Sequence, residues 1–182
     1  QRDAISPAAT GLMIYQTDGT AGFYYYNGSS WATLGAATSP TYNIGDVVNG
    51  GVVFYIFESD EPGFVSGEIH GLVAAFSDVA TSVEWGVSNT NAILNDCPTA
   101  PAALAARSLG AQWFLPSAKE LNQMYINKTT LEGVSGFTAF NGSYWSSTEN
   151  GNYSAWRQSF FNGYQGNFNK YGTSDVRAVR AF

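Results

Sequence analysis

The chain has 182 residues, 45% hydrophobic and 12% charged, with a formal net charge of −6. That is apolar enough for a buried core, and an aromatic share of 15% excludes a disordered chain. The acidic balance with scattered Lys and Arg argues against phosphate-tracking nucleic-acid binding, no apolar run reaches the ~18 residues of a spanning helix, and the single Cys97 excludes an internal disulfide framework.

Low charge with abundant Tyr, Asn, Ser, Thr and Gly fits a bacterial surface protein that does without disulfides. The chain opens at Gln1 without a Met or an apolar leader, and reads as a processed or excised piece of a longer product. Residues 1–35 alternate short apolar runs with turn signals. Gly11 to Tyr15 precedes Asp18-Gly19, and Phe23 to Tyr26 precedes Asn27-Gly28 and Trp31. These predict tight β-hairpins, too small to be stable alone, that pack on a neighbour or on copies of themselves. Residues 36–41, with Ala36 to Pro40, read as a linker before a domain spanning 42–182.

Val52 to Phe57 and Gly71 to Phe76 predict buried strands. Ala102 to Leu109 predicts a helix that stops at Gly110. Ser117 with Glu120 three residues on is a capping box, followed by an apolar stripe of Leu121, Met124 and Tyr125. Tyr144 to Glu149 and Ala155 to Phe161 predict strands, Asn162-Gly163 a turn, and Val176 to Phe182 a last strand with alternating faces. The decapeptide from Phe137's preceding Gly136 to Trp145 echoes Gly22 to Trp31, so both read as aromatic hairpins around Asn-Gly.

Chemistry-bearing residues are sparse. His70 is the only histidine and reads as a strand-flanking residue with a satisfied ring. Cys97 reads as a small buried apolar residue. Glu58, Asp60 and Glu61 read as a solvated acidic loop, without the spacing of a calcium loop. No catalytic residue, metal site or cofactor is expected. What remains is binding. From Asn150 to Asp175 the chain is rich in Asn, Tyr, Phe, Gly and Ser, and is too polar to bury Phe161, Tyr164, Phe168 and Tyr171 together.

Trp113-Phe114-Leu115-Pro116-Ser117, Lys119-Glu120-Leu121, Tyr144-Trp145-Ser146-Ser147-Thr148-Glu149 and Val176-Arg177-Ala178-Val179-Arg180 together resemble a bacterial C-type-lectin-fold family, that of the Legionella collagen-like adhesin C-terminal domain. The resemblance covers about Tyr42 to Phe182. The tail also resembles the variable region of proteins diversified by a retroelement, in which Asn codons are rewritten around a fixed frame. Ala155, Trp156, Gln158, Phe160, Gly163, Gln165, Lys170 and Val176 keep that frame's spacing. Each residue between them is reachable from an Asn codon by changing adenines alone.

The resemblance implies an α+β fold of the C-type-lectin kind: two helices, short twisted antiparallel sheets, and first and last strands paired, so that Val52 to Phe57 lies beside Arg177 to Phe182. It implies core positions for Trp145, Trp156 and Phe160. It implies a ligand-binding face made of Arg157, Ser159, Phe161, Asn162, Tyr164, Gly166, Asn167, Phe168, Asn169, Tyr171, Gly172, Thr173, Ser174 and Asp175. The Cys97-only composition does not match the calcium-dependent sugar-binding lectins or the formylglycine-generating oxidases that share this broad fold. Residues 1–35 are similar to segments of secreted and fibre-like proteins of Bacteroidetes and their phages. The expected role is therefore a non-enzymatic adhesion domain, extracellular on a cell surface or a phage tail fibre. Its expected partner is a protein or glycan on a target cell, with no nucleic acid and no membrane insertion. The N-terminal segment is expected to form a homo-oligomer, a trimer being one option. The rival expectation is a structural fibre subunit that uses the aromatic face for self-assembly.

Overall fold

The computed structural model describes residues 2–34, 40–84 and 100–182. Cys97 and linker residues 36–39 lie outside the described residues. The chain forms two compact units, Gln1–Ser39 and Pro40–Phe182.

In the first unit, β1 (Met13–Gln16), β2 (Gly22–Tyr26) and β3 (Trp31–Thr33) form an antiparallel sheet in the order β1-β2-β3. The Asn27 side chain fixes its second turn. Its carboxamide oxygen accepts from the backbone N–H groups of Ser29 (3.0 Å) and Ser30 (2.9 Å). This is the local bonding that makes Asn a turn residue.

The second unit has two sheets. Strands β4 (Val47–Val48), β5 (Gly51–Ile56), β6 (Gly71–Ala75) and β12 (Val179–Ala181) are ordered β12-β6-β5-β4. Strands β7 (Ala80–Glu84), β8 (Ser143–Glu149), β9 (Ser154–Ser159), β10 (Gln165–Asn169) and β11 (Thr173–Val176) are ordered β10-β9-β8-β11-β7. The helices are short: α1 (Pro101–Arg107), α2 (Ala118–Ile126) and α3 (Lys128–Glu132).

Apolar side chains gather in two clusters. Val52, Phe54, Leu72, Leu121, Met124, Phe140, Tyr144 and Phe160 form one, and Val53, Val73, Ala102, Ala106, Trp113, Trp145 and Val176 the other. Successive residues of β5 and of β8 enter different clusters. These strands are therefore buried on both faces, which is why Val52 to Phe57 reads as an unbroken apolar run. The capping box of α2 is complete: Glu120 N–H donates to the Ser117 hydroxyl (3.2 Å), and Ser117 N–H donates to the Glu120 carboxylate (2.6 Å).

Four expectations are corrected. The architecture is not the α+β arrangement of the C-type-lectin fold. It is mostly β, with twelve strands in three sheets and three short helices among the described residues. The last strand does not pair with β5, because β6 lies between them: Val179 pairs with Ala74 and Ala181 with Leu72. The final apolar run is not one strand either. It leaves the five-stranded sheet after Val176 and joins the other sheet at Val179. The echo at Phe137 forms no hairpin, since Phe137 and Phe140 sink into the core instead.

The crossover explains the break. Arg177 sits between the two strands and is fully buried. Its Nε donates to Asp78 Oδ1 (2.7 Å), Nη2 to the Thr138 carbonyl (2.9 Å) and Nη1 to the Ala75 carbonyl (3.3 Å). Its guanidinium lies 4.7 Å from the Phe137 ring centre and 4.4 Å from that of Phe140. The Tyr144 hydroxyl donates to the other Asp78 oxygen (3.0 Å), and burial pushes its pKa above the ordinary tyrosine value. A buried pair broken on one side strands a charge, which costs ~3–5 kcal/mol. Arg177→Met alone and Asp78→Leu alone should each lose about that much in urea unfolding. The double variant should lose clearly less than the sum. Additive losses would show that the pair is not coupled.

Candidate functional site

Strands β9 and β10 form a hairpin at the edge of the five-stranded sheet, with Gln165 opposite Gln158 and Asn169 opposite Ser154. Its inward side chains tie it to α2. Gln165 Nε2 donates to the Ala118 carbonyl (2.7 Å) and to Gln158 Oε1 (2.8 Å), and Gln158 Nε2 donates to Asn122 Oδ1 (3.0 Å). Phe160 stacks on Phe140 at 4.1 Å. Lys170 is buried and ion-paired with Glu149. Gly163 closes the turn at φ 76°, and a Cβ there would stand 2.5 Å from the Tyr125 ring.

The outward residues are the large ones. Phe161 is 75% exposed, Tyr164 62% and Tyr171 71%, and Tyr153, outside the expected set, is also 71% exposed. Asn162, Asn167, Asn169, Gly172 and Thr173 are exposed as well, and Ser159 is half-buried. Two side-chain-capped turns hold the ends. Asn162 Oδ1 accepts from Tyr164 N–H (3.1 Å), and Asn169 Oδ1 from Tyr171 N–H (3.0 Å). Phe161 and Tyr164 therefore stand at the tip, with Tyr153 and Tyr171 at the base, where Lys170 N–H bonds the Tyr153 carbonyl (3.0 Å). The five residues of β10 separate the two groups by about 16 Å.

Four expected residues do not belong to the outer surface as free contacts. Gly166 is buried with the Tyr164 ring lying across it, 2.8 Å from where a Cβ would stand. Tyr164 meets Phe168 edge-on (6.4 Å, 89°), and the Arg157 guanidinium covers Phe168 at 3.4 Å. Arg157 Nη1 donates to the buried Ser174 hydroxyl (3.2 Å), and burial draws the Arg157 pKa below its ordinary value. Asp175 accepts from Ser82 N–H (3.0 Å), tying β11 to β7, and burial raises its pKa. Arg157, Gly166 and Ser174 thus form the floor beneath Tyr164 and Phe168. Trp156, expected in the core, is only half-buried and pairs across the hairpin with Asn167. Tyr153 lay within the polar aromatic stretch but ahead of the spaced frame, so composition pointed to it and spacing did not.

Elsewhere, both His70 ring nitrogens have partners, the Phe182 carbonyl (3.1 Å) and Glu68 (2.8 Å). Glu58 and Asp60 are exposed, but Glu61 is not a free loop carboxylate. It accepts from Tyr55 Oη (2.6 Å), from Glu58 N–H (3.0 Å) and from Lys119. These bonds, that of the Glu58 amide foremost, hold its pKa down at about 2. Among the described residues, no three His, Cys, Asp or Glu side chains gather as a metal site, and no helix is long and apolar enough to cross a membrane.

Residues 1–61 match the family described as the phage tail like trimerisation region. The match covers a third of the chain and ends just beyond β5. It fits a phage tail fibre-like protein with a structural or adhesion-related role, assembled as a homotrimer through its N-terminal segment and associated with a virion or an extracellular fibre. Among curated proteins, none matches the chain at a significant level.

Two outcomes follow from this geometry. Gly163→Ala should destabilise by more than ~1 kcal/mol, since the new Cβ meets both a left-handed backbone and the Tyr125 ring, while Asn167→Ala should stay within ~0.5 kcal/mol. Thermal melts of the two variants compare them directly. Glu61 is more acidic folded than its ordinary value of 4.5, so the unfolded chain binds its proton first on acidification. Its stabilisation is complete above that value and fades as pH falls towards about 2. The stability gap between the native chain and Glu61→Gln should therefore narrow from pH 5 to pH 2 in denaturant titrations, and a constant gap would contradict this account.

Proposed function

We propose that this chain is a tail-fibre-type binding protein. The β9–β10 hairpin and the turn after it meet a protein or an extended glycan on another surface. The observation that carries this reading is the split within the hairpin. Gln158, Phe160, Gln165 and Lys170 are fixed inward, while Phe161, Tyr164, Tyr171 and Tyr153 stand exposed at its two ends. Single-chain proteins rarely expose so many large aromatics without a use for them. Tyrosine also offers wide contact at low entropy cost, with Asn and Gly as adaptable neighbours.

The span favours a macromolecular guest. A single sugar ring reaches one aromatic group, whereas an extended glycan or a protein face reaches both across about 16 Å. Sequence change at the exposed positions leaves the inward bonds intact, which is what a diversified surface requires. Three copies on one fibre raise avidity through effective concentration, so each hairpin needs only modest affinity. We assign binding and not catalysis to this face, whose one strongly basic side chain, Arg157, is occupied by Phe168 and Ser174.

The test replaces Tyr153, Tyr164 and Tyr171 with Ala, singly and together. Binding to whole target cells should fall at least tenfold for the triple variant, with melting unchanged. Retained binding with an unchanged melt would place the contact elsewhere. Concentration-dependent polymers of the native chain that vanish in the triple variant would favour the rival reading of a self-assembling fibre subunit.

A further inference from the structure

The two faces of the N-terminal sheet are not alike. One carries Ile14, Tyr24, Tyr26 and Trp31, and the chain's own first residues cover it. The Arg2 guanidinium lies 4.3 Å from the centre of the Tyr24 ring, Tyr24 is buried, and its hydroxyl donates to the Thr20 carbonyl (3.0 Å). Asp3, Ser6, Pro7 and Thr10 share an open cleft of about 520 Å³ with Tyr26 and Trp31.

The opposite face is bare. Met13 lies opposite Tyr25, Tyr15 opposite Phe23, and Tyr25 opposite Ala32. In a strand, alternate residues share a face, so these five side chains form one continuous patch. Met13 is 55% exposed, Tyr15 58% and Phe23 54%. Tyr15 and Phe23 already pack edge-to-face at 4.8 Å. None of the five is charged.

We propose that this bare face is where three copies of the chain meet about a threefold axis, with Tyr15 and Phe23 at the centre of the contact. The occupant is a further copy of the chain because residues 1–61 match a trimerisation region, and among the described residues this face of the sheet carries the more exposed large apolar side chains. A closed threefold assembly brings the same patch of each copy towards one axis. An uncharged patch sets no like charges of this acidic chain against one another at the axis. Burial of this apolar face in the trimer also adds stability to so small a unit. The proposal stands on the N-terminal match and is independent of any role for the β9–β10 hairpin.

Sedimentation equilibrium of the full chain tests it without any ligand. The native chain should sediment at three times its 19.5 kDa mass at micromolar concentration. Tyr15→Asp and Phe23→Asp should each sediment as monomers. Thr33→Asp, an exposed residue on the covered side, should stay trimeric, as should Tyr164→Ala. A photo-crosslinker at Met13 of the otherwise native chain guards against unfolding of the Asp variants: it should join neighbouring copies through β2. A monomeric native chain, trimeric Tyr15→Asp and Phe23→Asp variants, or crosslinks confined to a single chain would each overturn the proposal.

Discussion

The buried Arg177–Asp78 pair is the constraint on which the second unit depends. A buried guanidinium needs partners for its N–H groups, and each nitrogen of this one finds an acceptor, in Asp78, Ala75 and Thr138, all far from Arg177 in sequence. Its position between β11 and β12 then sets where the chain leaves one sheet for the other. Phe137 and Phe140 flank the guanidinium, and Phe140 stacks in turn on Phe160 at the foot of the hairpin turn. The charge at the crossover and the platform at the edge are thus joined by a short chain of ring contacts. Such pairs add little to net stability compared with a well-packed apolar core, but they tolerate few alternative arrangements.

The hairpin divides labour between its strands and its turns. Its inward residues make bonds that only their own side chains can make: the glutamine ladder to Asn122, the buried lysine against Glu149, the glycine beneath Tyr125. Its outward residues touch little beyond one another. The exception is the floor, where Arg157 spans Phe168 and Ser174 and supports Tyr164 from below.

Local signals were legible in the sequence and non-local ones were not. Asn27-Gly28 announced its turn because the Asn side chain bonds within three residues. Ser117 and Glu120 announced a helix start for the same reason. Val52 to Phe57 announced burial because no polar residue interrupts it. The exposure of Tyr164 and Tyr171 followed from a stretch too polar to hide them. By contrast, the alternation from Val176 to Phe182 carries no sign of an aspartate ninety-nine residues away that holds Arg177 inward. The pairing of β12 with β6 was hidden similarly, since β5 and β6 both offer an apolar partner of ample length. The lectin-type fold was inferred from motifs that record neighbouring residues, whereas sheet order is decided by pairings between distant ones. Trp156 went astray by its size: a large aromatic at a strand position reads as core, yet it is half-buried and lies opposite the exposed Asn167 of the edge strand.

The glutamine ladder beneath the hairpin has a kinetic consequence. In the proposed binding role, bonds from Gln158 and Gln165 to the first helical turns beneath already fix the hairpin, so docking needs no large loop rearrangement. Encounter is then governed by diffusion, orientation and long-range charge. For an acidic chain this means slow approach to a sulfated or sialylated coat at low ionic strength, and faster capture as salt screens the repulsion.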